Sequence, residues 1–151
     1  LVPMAIDKVK LAEKISSAGK TITPQRITIF RALELVGEPV TAYELRDLTN
    51  SWSDESFNIS TIYRVLDFWV ELGLIHKIES ANKFVVCKDE HRDHIHVLQH
   101  CTSCQKIEEH YETSRLMKMP PSSTFKAHKN QVIEIQGQCG NCLNLPKNLK
   151  P

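Results

Sequence analysis

Residues 59–87 read ISTIYRVLDFWVELGLIHKIESANKFVVC, and the change of hydrophobic period inside this stretch decides the fold. Ile62, Val65, Leu66, Trp69 and Leu72 recur every three to four residues, the spacing of one buried helix face, and Gly73 is placed to stop the helix. Thr61, Tyr63, Arg64 and Asp67 fall off that stripe and are expected to face outward. Beyond the glycine, LIHKIE and KFVVC read as two strands around the polar turn Ser80-Ala81-Asn82, so a hairpin follows the helix directly.

Upstream, TPQRITIFRALELVG (23–37) carries its own punctuation. Thr23 is a good N-cap, Pro24 sits at the first helical position where its missing N–H costs nothing, and Gly37 closes the segment. Ile27, Phe30 and Leu33 or Glu34 mark successive turns, which puts Arg26 and Arg31 on the outside. TAYELRDLTNSW (41–52) is a shorter helix with Leu45 and Leu48 inward, followed by the polar loop SDESFN. Residues 6–19 form a further candidate helix, with Asp7 as N-cap, Leu11, Ile15 and Ala18 at helical spacing and Gly19 as the stop. Three or four short helices ending in a hairpin describe a winged helix-turn-helix, here assigned to residues 4–87.

From residue 88 the character changes. KDEHRDH is polar enough for a connector, and 88–96 is taken as a hinge, with a second domain over 97–151. IHVLQHC and VIEIQGQC alternate like strands, and each runs straight into a cysteine pair. Between them SRLMKMPPSSTFKAH starts as a short helix and is broken by Pro120 and Pro121. The chain as a whole is therefore expected to be α+β, a winged helix followed by a small α/β domain.

The pairs Cys101-Thr-Ser-Cys104 and Cys139-Gly-Asn-Cys142 are separated by 34 residues. Two such turns bring four thiolates to one tetrahedral Zn(II), and the long gap implies that a strand and a helix lie between them. The competing reading is a redox dithiol, which would not need a matching second pair. A structural zinc also accounts for how so short a domain folds. Four thiolates saturate that ion, so His76, Cys87, His94, His96, Glu108 and Glu109, which cluster around the domain junction, need another explanation.

Composition limits the alternatives. Of the 151 residues 25% are charged and 41% hydrophobic, the balance of an ordinary globular chain. No apolar run approaches the roughly 18–20 residues of a membrane span, and no leader is visible, so a cytosolic place is expected. Leu1-Val2-Pro3 ahead of Met4 reads as an artificial leader and is left out of the fold reasoning. Net charge is +1, and residues 1–87 hold ten Lys and Arg against eleven Asp and Glu. Any nucleic-acid contact must then come from a local face rather than from bulk charge. Five cysteines, an odd count, point to metal or redox chemistry more than to disulfides.

Taken together, TPQR, STIYRVLDFW, GLIHKIES, HIHVLQHCTSC and GQCGNC resemble the ferric uptake regulator family of metal-responsive repressors, over about residues 8–143. The stretch 59–87 is most similar to its zinc uptake regulator branch. The resemblance implies a sensing site of His76, Cys87, His94 and Glu109, in addition to the structural zinc of Cys101, Cys104, Cys139 and Cys142. A thiolate with two imidazoles and one carboxylate is softer than the sets that suit Fe(II) or Mn(II), which favours zinc as the regulatory metal. The branch often places a ligand near position 130, where this chain has Asn130 with His128 nearby. His96, His100, His110 and His128 are candidates for an additional site, whose metal could be zinc, Fe(II) or Mn(II).

The same resemblance makes STIYRVLDFW the recognition helix. Arg64 suits bidentate contact with guanine, Tyr63 or Thr61 a phosphate or thymine methyl, Tyr43 is a second base contact, and Arg26 a phosphate contact. Tyr43 as a packing residue of its helix is the alternative. The second domain would pair two copies across a two-fold axis, presenting two recognition helices to a palindromic double-stranded operator. The implied function is a zinc-responsive homodimeric repressor of zinc-acquisition genes, with no membrane partner and no small-molecule substrate. The rivals are an iron-, manganese- or peroxide-responsive repressor of the same family, and a zinc-binding interaction module without DNA function. No nucleophile, base and orienting group stand together, so an enzyme is not expected.

Overall fold

The computed structural model describes residues 13, 15–87, 95–117, 121–127 and 131–144. The chain separates into two compact units, Leu1–Glu90 and His91–Pro151. No helix among the described residues is long and apolar enough to cross a membrane.

Among the described residues the first unit holds the helices α1 (Pro24–Val36), α2 (Ala42–Trp52) and α3 (Ile59–Glu71), after a helical stretch at Ile15–Ser17, and the strands β1 (Val40–Thr41), β2 (Ile75–Ile78) and β3 (Lys83–Val86). The sheet runs β1-β3-β2, all antiparallel. Helix α1 starts as its sequence demands. Thr23 accepts a hydrogen bond from the Arg26 N–H, Pro24 opens the helix, and Gly37 ends it in the left-handed region at φ 69°. Its buried face is Ile29, Phe30, Ala32 and Leu33, while Ile27 is only half-buried. Arg26 and Arg31 do not point freely outward as expected. Both are half-buried, and the Arg31 Nε is inaccessible and has no hydrogen-bond partner among the described residues.

Helix α2 begins with a reciprocal cap. The Thr41 hydroxyl accepts from the Glu44 N–H at 3.1 Å, and the Glu44 carboxylate accepts from the Thr41 N–H at 2.8 Å. Leu45 is buried, but Leu48 is exposed, contrary to the expectation. Four residues, rather than three, return closest to the inner face after Leu45. Thr49 takes that place and satisfies its hydroxyl by donating to the Leu45 carbonyl at 2.6 Å.

Asn58 caps α3 by accepting from the Thr61 N–H at 2.9 Å, and Ile62, Val65, Leu66, Phe68 and Trp69 are buried. Trp69 packs against Phe30 at 4.7 Å and Phe68 at 5.0 Å between ring centroids, and its Nε1 donates to the Arg26 carbonyl at 3.1 Å. The aromatic payload and the satisfied indole make Trp69 the joint between α1 and α3. Leu72 is half-buried at the helix end, and Gly73 follows at φ 77°. The hairpin turns at Glu79–Asn82, with Asn82 at φ 49°. Of the candidate helix over 6–19, Ile15–Ser17 are helical and Ile15 is buried. Asp7 and Leu11 lie outside the described residues, and Ala18 is exposed because it falls in the turn after the helix.

In the second unit the sheet runs β5-β4-β6, from β4 (His96–Cys101), β5 (Ile107–Glu109) and β6 (Val132–Gly137). β4 pairs antiparallel with β5 and parallel with β6. Parallel neighbours require a crossover, which contains α4 (Tyr111–Leu116). This helix starts three residues before the expected Ser114. The reason is local: His110 caps it, its Nδ1 accepting from the Thr113 N–H at 3.3 Å. Ser114 is then fully buried mid-helix, its hydroxyl accepting from the Val97 N–H at 2.8 Å. A short helix α5 (Gly140–Asn144) closes the second cysteine pair.

Candidate metal and nucleic-acid sites

The two cysteine pairs sit on turns that follow β4 and β6, and parallel pairing of those strands, Cys101 opposite Gly137, carries the turns to the same end of the sheet. The Sγ atoms of Cys101, Cys104, Cys139 and Cys142 all lie within 4.8 Å of one another, and none is in a disulfide. Zn–S bonds of about 2.3 Å in a tetrahedron place sulfurs ~3.8 Å apart, and Cys104 and Cys139 are separated by 3.8 Å. The donor set and its spacing therefore fit Zn(II) as a closed, structural site.

Its electrostatics are unequal. The Cys101 thiol is lowered from 9.0 to about 6, chiefly by the backbone N–H groups of Cys104 and Cys139, the latter at 3.3 Å from its Sγ. Burial pushes the Cys142 thiol up to about 12, and the neighbouring cysteine sulfurs add to the rise. The first turn is also braced from behind. The Gln105 amide donates to the Thr102 carbonyl at 2.9 Å while its oxygen meets the His100 Nε2 at 2.8 Å. His100 is thereby engaged in the support of this turn rather than displayed to solvent.

In the first unit, His76 on β2 and Cys87 just past β3 are both buried, and a ring nitrogen of the one lies within 4.8 Å of the sulfur of the other. The Cys87 N–H donates to the Leu74 carbonyl at 2.9 Å, so hairpin pairing itself carries the thiol toward β2. In the second unit, buried His96 opens β4 instead of belonging to the hinge, and its Nδ1 meets the Glu109 carboxylate at 2.5 Å. Glu108 is on the other face of β5 and pairs with Lys106 at 2.6 Å. His94, His128 and Asn130 lie outside the described residues. His110 serves its own helix, receiving the Thr113 N–H on Nδ1 and approaching the Thr113 hydroxyl at 2.7 Å.

On α3 the exposed positions are Ser60, Arg64, Asp67 and Glu71, one stripe along the helix. Arg64 approaches the Thr61 hydroxyl at 3.5 Å at the N-terminal end. Tyr63 is not fully outward as expected. It is half-buried and packs edge-on against Phe84 of β3, with 6.5 Å between centroids, because the wing folds back on that side of the helix. Arg26 lies with its guanidinium 3.7 Å from the Phe68 ring and donates to the Thr21 carbonyl at 2.5 Å. Tyr43 is exposed on α2, with the Arg46 guanidinium over its ring at 5.3 Å.

Comparison with known proteins identifies the family of the chain. Over 138 residues the chain is 30% identical to the zinc uptake regulation protein of Escherichia coli (strain K12), covering 89% of this chain and 80% of that protein. It is 25% identical over 146 residues to the ferric uptake regulation protein of Synechococcus elongatus, covering 92% and 97%. Among solved structures, a zinc uptake regulator complexed with zinc and DNA matches at a TM-score of 0.66 and 26% identity, over 89% of this chain and 91% of that one. The model of the ferric uptake regulator family matches residues 17–136, most of the chain. The protein belongs to the ferric uptake regulator family.

Proposed function

We propose that the chain is a zinc-responsive repressor of zinc-acquisition genes, acting in the cytosol as a dimer on a palindromic DNA operator. The observation that carries the zinc assignment is the buried donor pair in the wing, His76 and Cys87 within 4.8 Å of each other. A thiol in that pair suits Zn(II) better than Fe(II) or Mn(II), which prefer sets of nitrogen and oxygen. The family is one of transcription regulators, and the chain is not an enzyme.

In this reading the regulatory metal takes His76 and Cys87 from the first unit and His94 and Glu109 from the second. Glu109 already holds the Nδ1 of His96. That contact orients the ring, the arrangement in which a carboxylate positions a metal ligand. His96 is thus a rival to His94 for the imidazole position, and with His128 a candidate for an additional site. Bound metal supplies a tie whose strength differs between conformations, and such differential affinity shifts the population toward the DNA-binding form.

DNA contact falls to Arg64 and Thr61 at the start of α3 and to Tyr43 on α2, with Tyr63 offering the hydroxyl of a ring anchored on Phe84. Arg26 reaches a phosphate only with the N–H groups not committed to the Thr21 carbonyl. The test is DNA binding followed by fluorescence anisotropy, on duplexes selected from a randomised pool, with free Zn(II) or Fe(II) buffered. Binding switched on by Zn(II) and lost in Cys87→Ala supports the proposal. Stronger activation by Fe(II), with Cys87→Ala indifferent, favours an iron-responsive repressor, consistent with the ferric uptake regulation proteins among the relatives.

A further inference from the structure

We infer that Arg46 is a positioning residue that fixes the ring of Tyr43 for DNA readout, with Asp47 holding its guanidinium in place. The inference rests on the proposed role of Tyr43 as a base contact.

Tyr43 and Arg46 stand three residues apart on α2, the spacing at which helix side chains are neighbours. The Arg46 guanidinium carbon lies 5.3 Å from the Tyr43 ring centroid, inside the range of a cation–π contact. Arg46 in turn donates through Nε at 3.0 Å and through its terminal nitrogen at 2.9 Å to one carboxylate oxygen of Asp47. Its side chain is 32% exposed, against 71% for Asp47, and Tyr43 is 53% exposed. The Arg46 side chain is thus partly withdrawn from solvent where it lies against Tyr43 and Asp47.

Two consequences follow from the chemistry. With a ring face engaged by the guanidinium, the edge and hydroxyl of Tyr43 remain for a base. A side chain ordered before binding also loses less rotamer entropy on binding, so the stack acts through pre-organisation. The carboxylate of Asp47 offsets the charge of Arg46 and engages its Nε and one terminal nitrogen, which weakens Arg46 as a phosphate contact in its own right.

The experiment compares the zinc-loaded full chain with Arg46→Met, Arg46→Lys, Tyr43→Ala and the double variant Arg46→Met/Tyr43→Ala, on duplexes selected by the unmodified chain from a randomised pool. Urea unfolding and zinc content serve as controls. Arg46→Met is expected to weaken binding to the selected duplexes by about two- to fivefold, the scale of an exposed cation–π contact. It should relax base preference at one position per half-site, leave the salt dependence unchanged, and have no further effect in the Tyr43→Ala background. Arg46→Lys should recover part of the loss. Equal weakening on selected and unrelated duplexes, with a salt slope flattened by about one counterion, would make Arg46 a phosphate contact and overturn the inference. Additive effects of Arg46→Met and Tyr43→Ala overturn it too. If Arg64→Glu abolishes binding while Tyr43→Ala does nothing, the assignment of Tyr43 fails and the inference with it, but the repressor reading stands. If the unmodified chain selects no duplex, the repressor reading itself fails.

Discussion

The side-chain amide of Asn50 brackets the backbone of Phe57. Its Nδ2 donates to the Phe57 carbonyl at 3.0 Å, and its Oδ1 accepts the Phe57 N–H at 2.7 Å. Phe57 is buried, and the next residue, Asn58, caps α3. One amide thus fixes where α3 starts relative to α2. Asn50→Ala leaves both backbone groups of a buried residue without these partners, and removal of a buried hydrogen-bond partner costs about 1–3 kcal/mol. Urea unfolding of the full chain should show a loss of that size. Asn50→Asp, which keeps the acceptor and loses the donor, should show a smaller one.

The second unit depends on its metal. Its described apolar core is small, and the four thiolates join its two strand ends across the crossover. Structural zinc contributes apparent free energies of ~10–16 kcal/mol in small domains. Chelation, or Cys142→Ser, should abolish the unfolding transition of the second unit in calorimetry. The transition of the first unit should remain, because its own contiguous core runs from Ile15 to Val86.

The pH dependence of zinc loading follows from the unequal thiols. Cys101, lowered to about 6, adds stability to the metal-free fold that is present above 9.0 and lost as pH falls through about 6. Cys142, raised to about 12, acts oppositely, its contribution present below 9.0 and lost as pH rises through about 12. At neutral pH, zinc must then displace the Cys142 proton but not that of Cys101. A plot of log apparent zinc affinity against pH, from chelator competition, should steepen by about one proton below pH ~6. An unbroken slope through that region would contradict the assignment.

Arg64 separates regulator from simple zinc module. It is exposed on the outer stripe of α3. Arg64→Glu should therefore leave urea stability within about 0.5 kcal/mol. Binding to selected duplexes in an anisotropy titration should fall below detection, with zinc content unchanged. Undiminished DNA affinity in that variant would remove the repressor reading.

Much of this was legible in the residues because strong local signals agreed with tertiary packing. Thr23-Pro24 and Gly37 bounded a helix, and the apolar stripe from Ile62 to Trp69 named its own buried face. The two cysteine pairs announced their site through spacing alone, and the structure brings all four sulfurs together. What sequence reasoning missed has physical causes. β1 and β5 span two and three residues, too few to display any period. Leu48, expected inward, is exposed and Thr49 is buried in its stead, because burial follows the helix angle, not residue polarity. The capping box Thr41/Glu44 was present as a signature and would have located the start of α2. That His96 is bonded to Glu109 had no sequence signal, since it depends on the register of β4 against β5, Leu98 opposite Glu109.

The parallel register of β4 and β6 also sets an order of events in biogenesis. His96 is opposite Val132, and Cys101 opposite Gly137, so every pairing in this ladder spans 36 residues of chain. Contacts so distant in sequence form late, after local helices and hairpins. While the polypeptide is still emerging from the ribosome, Cys101 and Cys104 hold only half of a coordination sphere. Completion of the four-thiolate site therefore waits for β6 and the turn that follows it.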